Sequence, residues 1–128
     1  MNSERVAVLG ASPNPDRASN QALRSLQRYG HTVIPVHPAR EEIEGLPVVH
    51  DLAVIEGAVD TLTIYVGPRH GEELVEKIIA LSPGRVILNP GTESELIKRR
   101  LKAGGIQVIC ACTLVLLVSG QFTAHTNG

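Results

Sequence analysis

Val6-Ala7-Val8-Leu9-Gly10-Ala11-Ser12-Pro13-Asn14-Pro15-Asp16 is the stretch from which the fold of this chain is read. Four apolar residues lead into a Gly-Ala-Ser turn, and a helix-like segment follows from Ala18. A continuous apolar run, rather than an alternating one, marks a strand buried on both faces, as in a parallel sheet. A turn of small residues between such a strand and a helix leaves backbone N–H groups free at the positive helix end. That is a ready site for phosphate. The turn is therefore expected to hold a phosphate-bearing ligand.

Working outward, the helix is expected over 18–29, with Ala22, Leu23, Leu26 and Tyr29 at helical spacing and Gly30 as its stop. A second strand covers 31–36 and finishes near Pro35, since proline is tolerated only where no ladder donor is needed. Residues 37–45 read as loop, 46–49 as a short strand or extended segment, and Asp51 as the cap of a brief helix to 56. The β-branched run 60–66 is a strand. Gly67-Pro68 opens a helix running to 81, with Leu74, Val75, Ile78, Ile79 and Leu81 on one face. Residues 85–88 form the next strand. Thr92, with Glu95 three residues on, has capping-box spacing for a helix that Gly104-Gly105 stops. Residues 106–110 form the last strand.

Strand and helix thus alternate about five times. The expected fold is a single α/β domain, a doubly wound parallel sheet of about five strands with helices on both faces, its core over about 5–122. Ligands of such sheets sit outside the carboxyl ends of the strands, at the switch point. The loops 10–16, 36–40, 67–70 and 89–92 are expected to converge there on one crevice.

The bulk properties narrow the function. The 128 residues suffice for one core without staples, and the net charge of −1 carries no long run of one sign. Two Tyr, one Phe and no Trp offer little to stack bases, so no nucleic acid is expected as partner. No apolar run reaches bilayer length and residues 1–5 carry no signal-peptide core, so no membrane is expected either. Cys110 and Cys112, two apart, suit buried strand-end residues better than a structural disulfide. A reducing, cytoplasmic setting is expected. His31, His37, His50, His70 and His125 fall at no zinc spacing, and no metal site is expected. The basic residues of 98–102 read as a solvated helix end.

Elimination among nucleotides follows from the first turn. The dinucleotide fingerprint places glycines at its first, third and sixth positions, and Gly10-Ala11-Ser12-Pro13-Asn14-Pro15 retains only the first. An acidic residue at the end of strand two would hold the ribose of NAD, but His37-Pro38-Ala39-Arg40 stands there. A basic end suits a ribose that carries a phosphate, which means NADP or coenzyme A. No Gly-Lys-Ser/Thr run for a Walker loop occurs.

Gly10-Ala11-Ser12-Pro13-Asn14-Pro15-Asp16-Arg17-Ala18-Ser19 and Gly30-His31-Thr32-Val33-Ile34-Pro35-Val36-His37-Pro38 resemble the CoA-binding domain family of small stand-alone proteins. The fold is similar to the N-terminal domain of the succinyl-CoA synthetase α subunit. Ile64-Tyr65-Val66-Gly67-Pro68 and the segment from Gly105 to Leu114 resemble the later motifs of the family. The resemblance implies coenzyme A or an acyl-CoA lying across the strand ends. Gly10, Ala11 and Ser12 would hold phosphate, with Arg17 and Ser19 nearby. Val36, His37 and Pro38 would line the adenosine side, with Arg40 for the ribose phosphate, and Val66, Gly67 and Pro68 would form the opposite wall. Two departures stand out: His37 replaces a frequent Asn, and Cys110-Ala111-Cys112 replaces a frequent Asp-Arg-Cys.

Each of these residues also has a plainer reading. Gly10 relieves strain at a tight turn; Arg17, Arg40 and Arg69 are ordinary surface charges; Ser12 and Ser19 are caps or phosphate donors without a base to activate them. No nucleophile–base–orienter set is visible, so a binding module is expected rather than an enzyme. It would act alone, as a homo-oligomer, or as a detached partner of an acyl-CoA enzyme. The rival readings are an NADP-dependent oxidoreductase and an interaction protein that has lost its ligand. A minor reading has Cys112 forming a mixed disulfide with the CoA thiol.

Overall fold

A computed structural model of the chain describes residues 3–123. Met1, Asn2 and the expected non-ligand His125 lie outside the described residues. Five parallel strands form the main sheet: β1 (Arg5–Leu9), β2 (Thr32–Val36), β5 (Thr61–Ile64), β6 (Arg85–Leu88) and β7 (Gln107–Cys110). Their order is β2-β1-β5-β6-β7. The chain moves from β1 outward to β2 and then returns past β1 to β5, so the order reverses between β1 and β5. A small antiparallel hairpin, β3 (Glu42–Ile43) with β4 (Leu46–Pro47), is inserted after β2.

Both faces are covered, and every residue of β5 and β6 is buried. On one face α1 (Ala18–Arg28) and α5 (Thr113–Val118) pack Leu23, Leu26, Leu116 and Leu117, joined by Phe122 from the segment after α5, onto Val6, Val8 and Ile87. On the other, a 3-10 turn at Leu52–Val54, α2 (Pro68–Glu73), α3 (Val75–Leu81) and α4 (Glu95–Ala103) bury Leu52, Val75, Ile78, Ile97 and Leu101 against Ala7, Leu9, Leu62, Ile64, Val86 and Leu88. The α/β doubly wound reading of the sequence holds.

Local details differ from expectation for identifiable reasons. The helix expected over 68–81 is two helices. Leu74 between them has φ −98° and ψ 2°, and Leu74 N–H donates to Gly71 O three residues back. Gly71 permits the close contact there, because a Cβ would meet Ile97 Cδ1 at 2.9 Å. Thr92 is not the cap of α4. Its N–H and Oγ1 both donate to Asn89 O, closing a turn, and Ser94 Oγ accepts from Ile97 N–H in the capping role instead. The loop expected over 37–45 contains β3, because Glu44 (φ 53°) and Gly45 (φ 77°) make the two-residue turn that hairpins favour. Asp51 does cap, accepting from Ala53 N–H, but only the short 3-10 turn. The segment 113–118 folds as α5, which its apolar composition alone did not reveal. Cys110 is exposed and Cys112 half-buried, so the expectation of buried cysteines fails: β7 is an edge strand.

Candidate functional site

The site is built where the sheet order reverses. Leu9 runs into Gly10 at φ +88°, a conformation that disfavours any residue with a Cβ. A Cβ on Gly10 would meet Val66 Cγ1 at 2.9 Å, Val66 N at 3.1 Å and Tyr65 C at 3.2 Å. Gly10 is therefore the narrow point between the ends of β1 and β5, and a cavity opens on each side of it.

The first cavity, about 170 Å³, is mainly apolar. Leu9, Val36, Pro38, Leu52, Val66 and Leu74 supply its walls, and His50, Asp51 and His70 its polar groups. The Asp51 carboxyl is held below its usual range by the ammonium of Lys77, 2.6 Å away, with Ala53 N–H assisting. The second cavity, about 310 Å³, lies between the β1–α1 turn and the loop after β6. Ser12, Arg17, Ala18 and Ser19 form one side, and Pro90, Gly91 and Thr92 the other, with Tyr65 and Gly67 beneath.

The polar character of the second cavity comes largely from the start of α1. Arg17 occupies the N-cap position in extended conformation and no side chain caps the helix. The first turn also carries no acidic residue. Its positive end is thus left uncompensated beside Arg17 and Ser19. Asn20, fully buried, holds the turn in place: its Nδ2 donates to Ser12 O at 2.9 Å and to Glu44 Oε2 at 3.0 Å. Ser12 Oγ accepts from Asn14 N–H, and Asn14 O from Arg17 N–H, which makes the Pro-Asn-Pro segment a rigid bracket.

A buried hydroxyl-amide cluster underlies this region. Asn89 Nδ2 donates to Thr63 Oγ1 (2.7 Å) and Ile64 O (2.9 Å), its Oδ1 accepts from Thr113 N–H, and the Thr63 and Thr113 hydroxyls lie 2.8 Å apart. Burial pushes the Tyr65 phenol up to about 12, the Thr113 and Thr63 hydroxyls only partly opposing it.

The four loops do not share one crevice as expected: 10–16 and 67–70 line both cavities, 36–40 only the first and 89–92 only the second. Of the residues singled out from the sequence, Gly10, Ser12, Arg17, Ser19, Val36, Pro38, Val66 and Gly67 line them. The others play different parts. Ala11 is buried in the core and its N–H donates to Val36 O, so that amide is not free for a ligand. His37 Nδ1 accepts from Ala39 and Arg40 N–H, folding the loop rather than entering the cavity. Arg40 is exposed, with its carbonyl bound to His50 Nε2. Pro68 starts α2 behind Gly67. Sequence reasoning missed His50, Asp51, Leu52 and Leu74, which the chain brings back to β1 only after the β3–β4 excursion. Thr92 was within reach, because its loop was expected at the crevice.

An open parallel sheet with its crevice at the switch point defines a Rossmann-like domain. The chain belongs to the CoA-binding domain family: the family model described as CoA binding domain matches residues 4–117. It is 36% identical to YneT of Bacillus subtilis over 72 residues, 56% of this chain and 51% of that protein. Over 93 residues it is 30% identical to the acetate–CoA ligase (ADP-forming) II subunit alpha of Pyrococcus furiosus, 65% of this chain and 20% of the relative. The chain therefore spans about half the length of one relative and a fifth of the other. Among solved structures, ID.343 of Thermus thermophilus has a TM-score of 0.86 at 31% identity, covering 94% of this chain and 91% of that one. Among the described residues no helix is long and apolar enough to cross a membrane.

Proposed function

We propose that this chain binds coenzyme A or an acyl-CoA without transforming it. The observation that carries the reading is the pair of cavities meeting at Gly10, one mainly apolar and one polar at an uncapped helix start. In this reading the adenine ring occupies the cavity walled by Val36, Leu52, Val66 and Leu74. The pyrophosphate crosses Gly10 to the start of α1, within reach of Arg17 and Ser19. The pantetheine arm then runs between Gly67 and the 90–92 loop. Such division of labour, apolar burial for the ring and backbone plus cation for the charge, is the usual construction of a cofactor cleft. Of the four hydroxyl residues lining the second cavity, Ser12 and Thr92 are engaged with the backbone of their own turns, which supports binding rather than catalysis by these two. Family membership supports CoA over NADP. The likeness to a ligase α subunit supports a role beside an acyl-CoA enzyme.

Isothermal calorimetry with CoA, acetyl-CoA, NADP and ATP tests this. Saturable binding of CoA and its thioester, with NADP and ATP silent, is the expected result. Binding of NADP without CoA overturns the proposal, and binding of none points to the interaction protein.

A further inference from the structure

The two edges of the sheet are finished differently. At β2 the alternation set by Thr32 N–H donating to Glu4 O turns residues 33, 35 and 37 outward. Pro35 presents no N–H there, while Pro35 O and His37 N–H are taken by Val49. That edge is closed by a proline and a bridging residue, two common protections against edge-to-edge pairing.

The β7 edge carries neither. Ala111 N–H donates to Leu88 O, so alternation turns Val108 and Cys110 outward with both backbone groups. Among the described residues no strand lies beyond β7. Gln107-Val108-Ile109-Cys110 contains no charge and no proline, and its Val108 and Ile109 are only half-buried although they adjoin opposite cores.

We propose that this edge is the contact surface for a second copy of the chain, paired antiparallel across a two-fold axis beside Ile109. In that register Val108 faces Cys110 of the second copy, and every outward N–H and C=O of both residues finds a partner. No other antiparallel register satisfies all of them. The helix ends above the edge carry opposite charges in the same arrangement, while Lys98, near the axis, is paired with Glu95 of its own copy at 2.5 Å. Arg100 faces α3 through its ion pair with Glu76, which turns the opposite flank of α4, with Glu95, Lys98 and Lys102, toward β7. The two-fold axis runs the two α4 helices antiparallel, so Glu95 near the start of one faces Lys102 near the end of the other. With strands about 4.8 Å apart and α4 lying over β6 and β7, the two helix axes fall roughly 10 Å apart, a normal packing distance. The contact is small, and a dimer with Kd on the order of micromolar, dissociating on dilution, is expected.

Sedimentation velocity from low micromolar to a few hundred micromolar tests the surface. The wild type is expected to approach twice 13.7 kDa, and Val108→Pro to stay monomeric throughout. Proline at 108 removes an outward N–H that no strand of the sheet uses and trims a half-buried side chain, so circular dichroism should show an intact fold. In a Cys110→Ser, Cys112→Ser background, Ile109→Cys should form a disulfide-linked dimer under mild oxidation, because the two 109 positions meet at the axis. A wild type monomeric at every concentration, or a Val108→Pro protein that still dimerises while folded, overturns the proposal. So does failure of Ile109→Cys to cross-link. None of these readouts involves CoA, so they stand apart from the binding proposal.

Discussion

At the carboxyl ends of its strands this sheet presents glycine, small side chains and an uncapped helix; at their amino ends it seals an ion pair. Arg85, 1% exposed, donates from Nε to Thr61 Oγ1 at 2.8 Å and from Nη2 to Phe122 O at 2.7 Å. Its guanidinium lies 4.5 Å from the centre of the Phe122 ring and 3.6 Å from Glu4 Oε2. Thr61 Oγ1 in turn donates to Glu4 Oε1 at 2.6 Å. His31 completes the cluster, its Nδ1 accepting from Glu4 N–H and its ring tilted against Phe122 at 5.1 Å. The residue types teach the difference. Side-chain charge is spent at the closed end on anchoring the segment after α5, whereas the open end keeps backbone dipoles and one exposed cation available to a ligand.

The largest test of this contrast is Arg85→Ala. Removing one partner of a buried pair leaves the other uncompensated and costs about 3–5 kcal/mol, a fall in Tm of roughly 10–20 °C for a domain of this size. Affinity for CoA, measured below that Tm, should change by less than about twofold, since the ends are energetically separate. Thermal denaturation and calorimetry on the same samples check both. The Glu4→Leu, Arg85→Met double variant should recover most of the loss, because a matched apolar pair carries no buried charge.

Gly10→Ala blurs the contrast by acting on both properties. The φ of +88° and the approach to Val66 predict a loss of about 1–3 kcal/mol in stability together with weaker CoA binding. A bulkier residue such as valine would strain the same backbone further, so it cannot report on binding alone. Arg17→Glu isolates the open end: Arg17 is exposed at the start of α1. Calorimetry should show CoA affinity falling roughly tenfold, about 1.4 kcal/mol, while Tm holds steady.

The smallest effect is titration of the closed end. Burial holds the His31 imidazole below its ordinary 6.5; Glu4 opposes that shift and Arg85 adds to it. The unfolded chain then binds the proton at higher pH than the native one, so stability declines as pH falls below about 6.5 and levels off below the depressed native value. His31→Asn keeps an acceptor for Glu4 N–H but cannot titrate. Its Tm against pH should be flatter than that of the wild type as pH falls below about 6.5, and equal slopes would remove His31 from the cluster.

Much of the open end was legible because it depends on local pattern. The apolar run 6–9, the Gly10 turn and the alternation of strands place α1 and the four loops through spacing alone. The remainder was hidden where side chains choose between neighbours. Thr92 and Ser94 both suit an N-cap, and only the turn closed on Asn89 decides between them. His37 and Arg40 share a loop with Pro38, yet the His37 ring folds inward on its own backbone and Arg40 faces solvent. Arg85, read as the first residue of a strand, gave no sign of burial, since its partners Glu4, Thr61 and Phe122 are distant in sequence.

By itself the sequence determined the strand–helix alternation, the parallel sheet and the turn at Gly10, because hydrophobic period and backbone restriction act within a few residues. Only the tertiary structure decided which residues line the cavities, that Arg85 would be buried, and that one sheet edge is closed and the other open. Those outcomes depend on contacts between residues tens of positions apart, where burial and hydrogen-bond geometry select among side chains that the local pattern leaves equivalent.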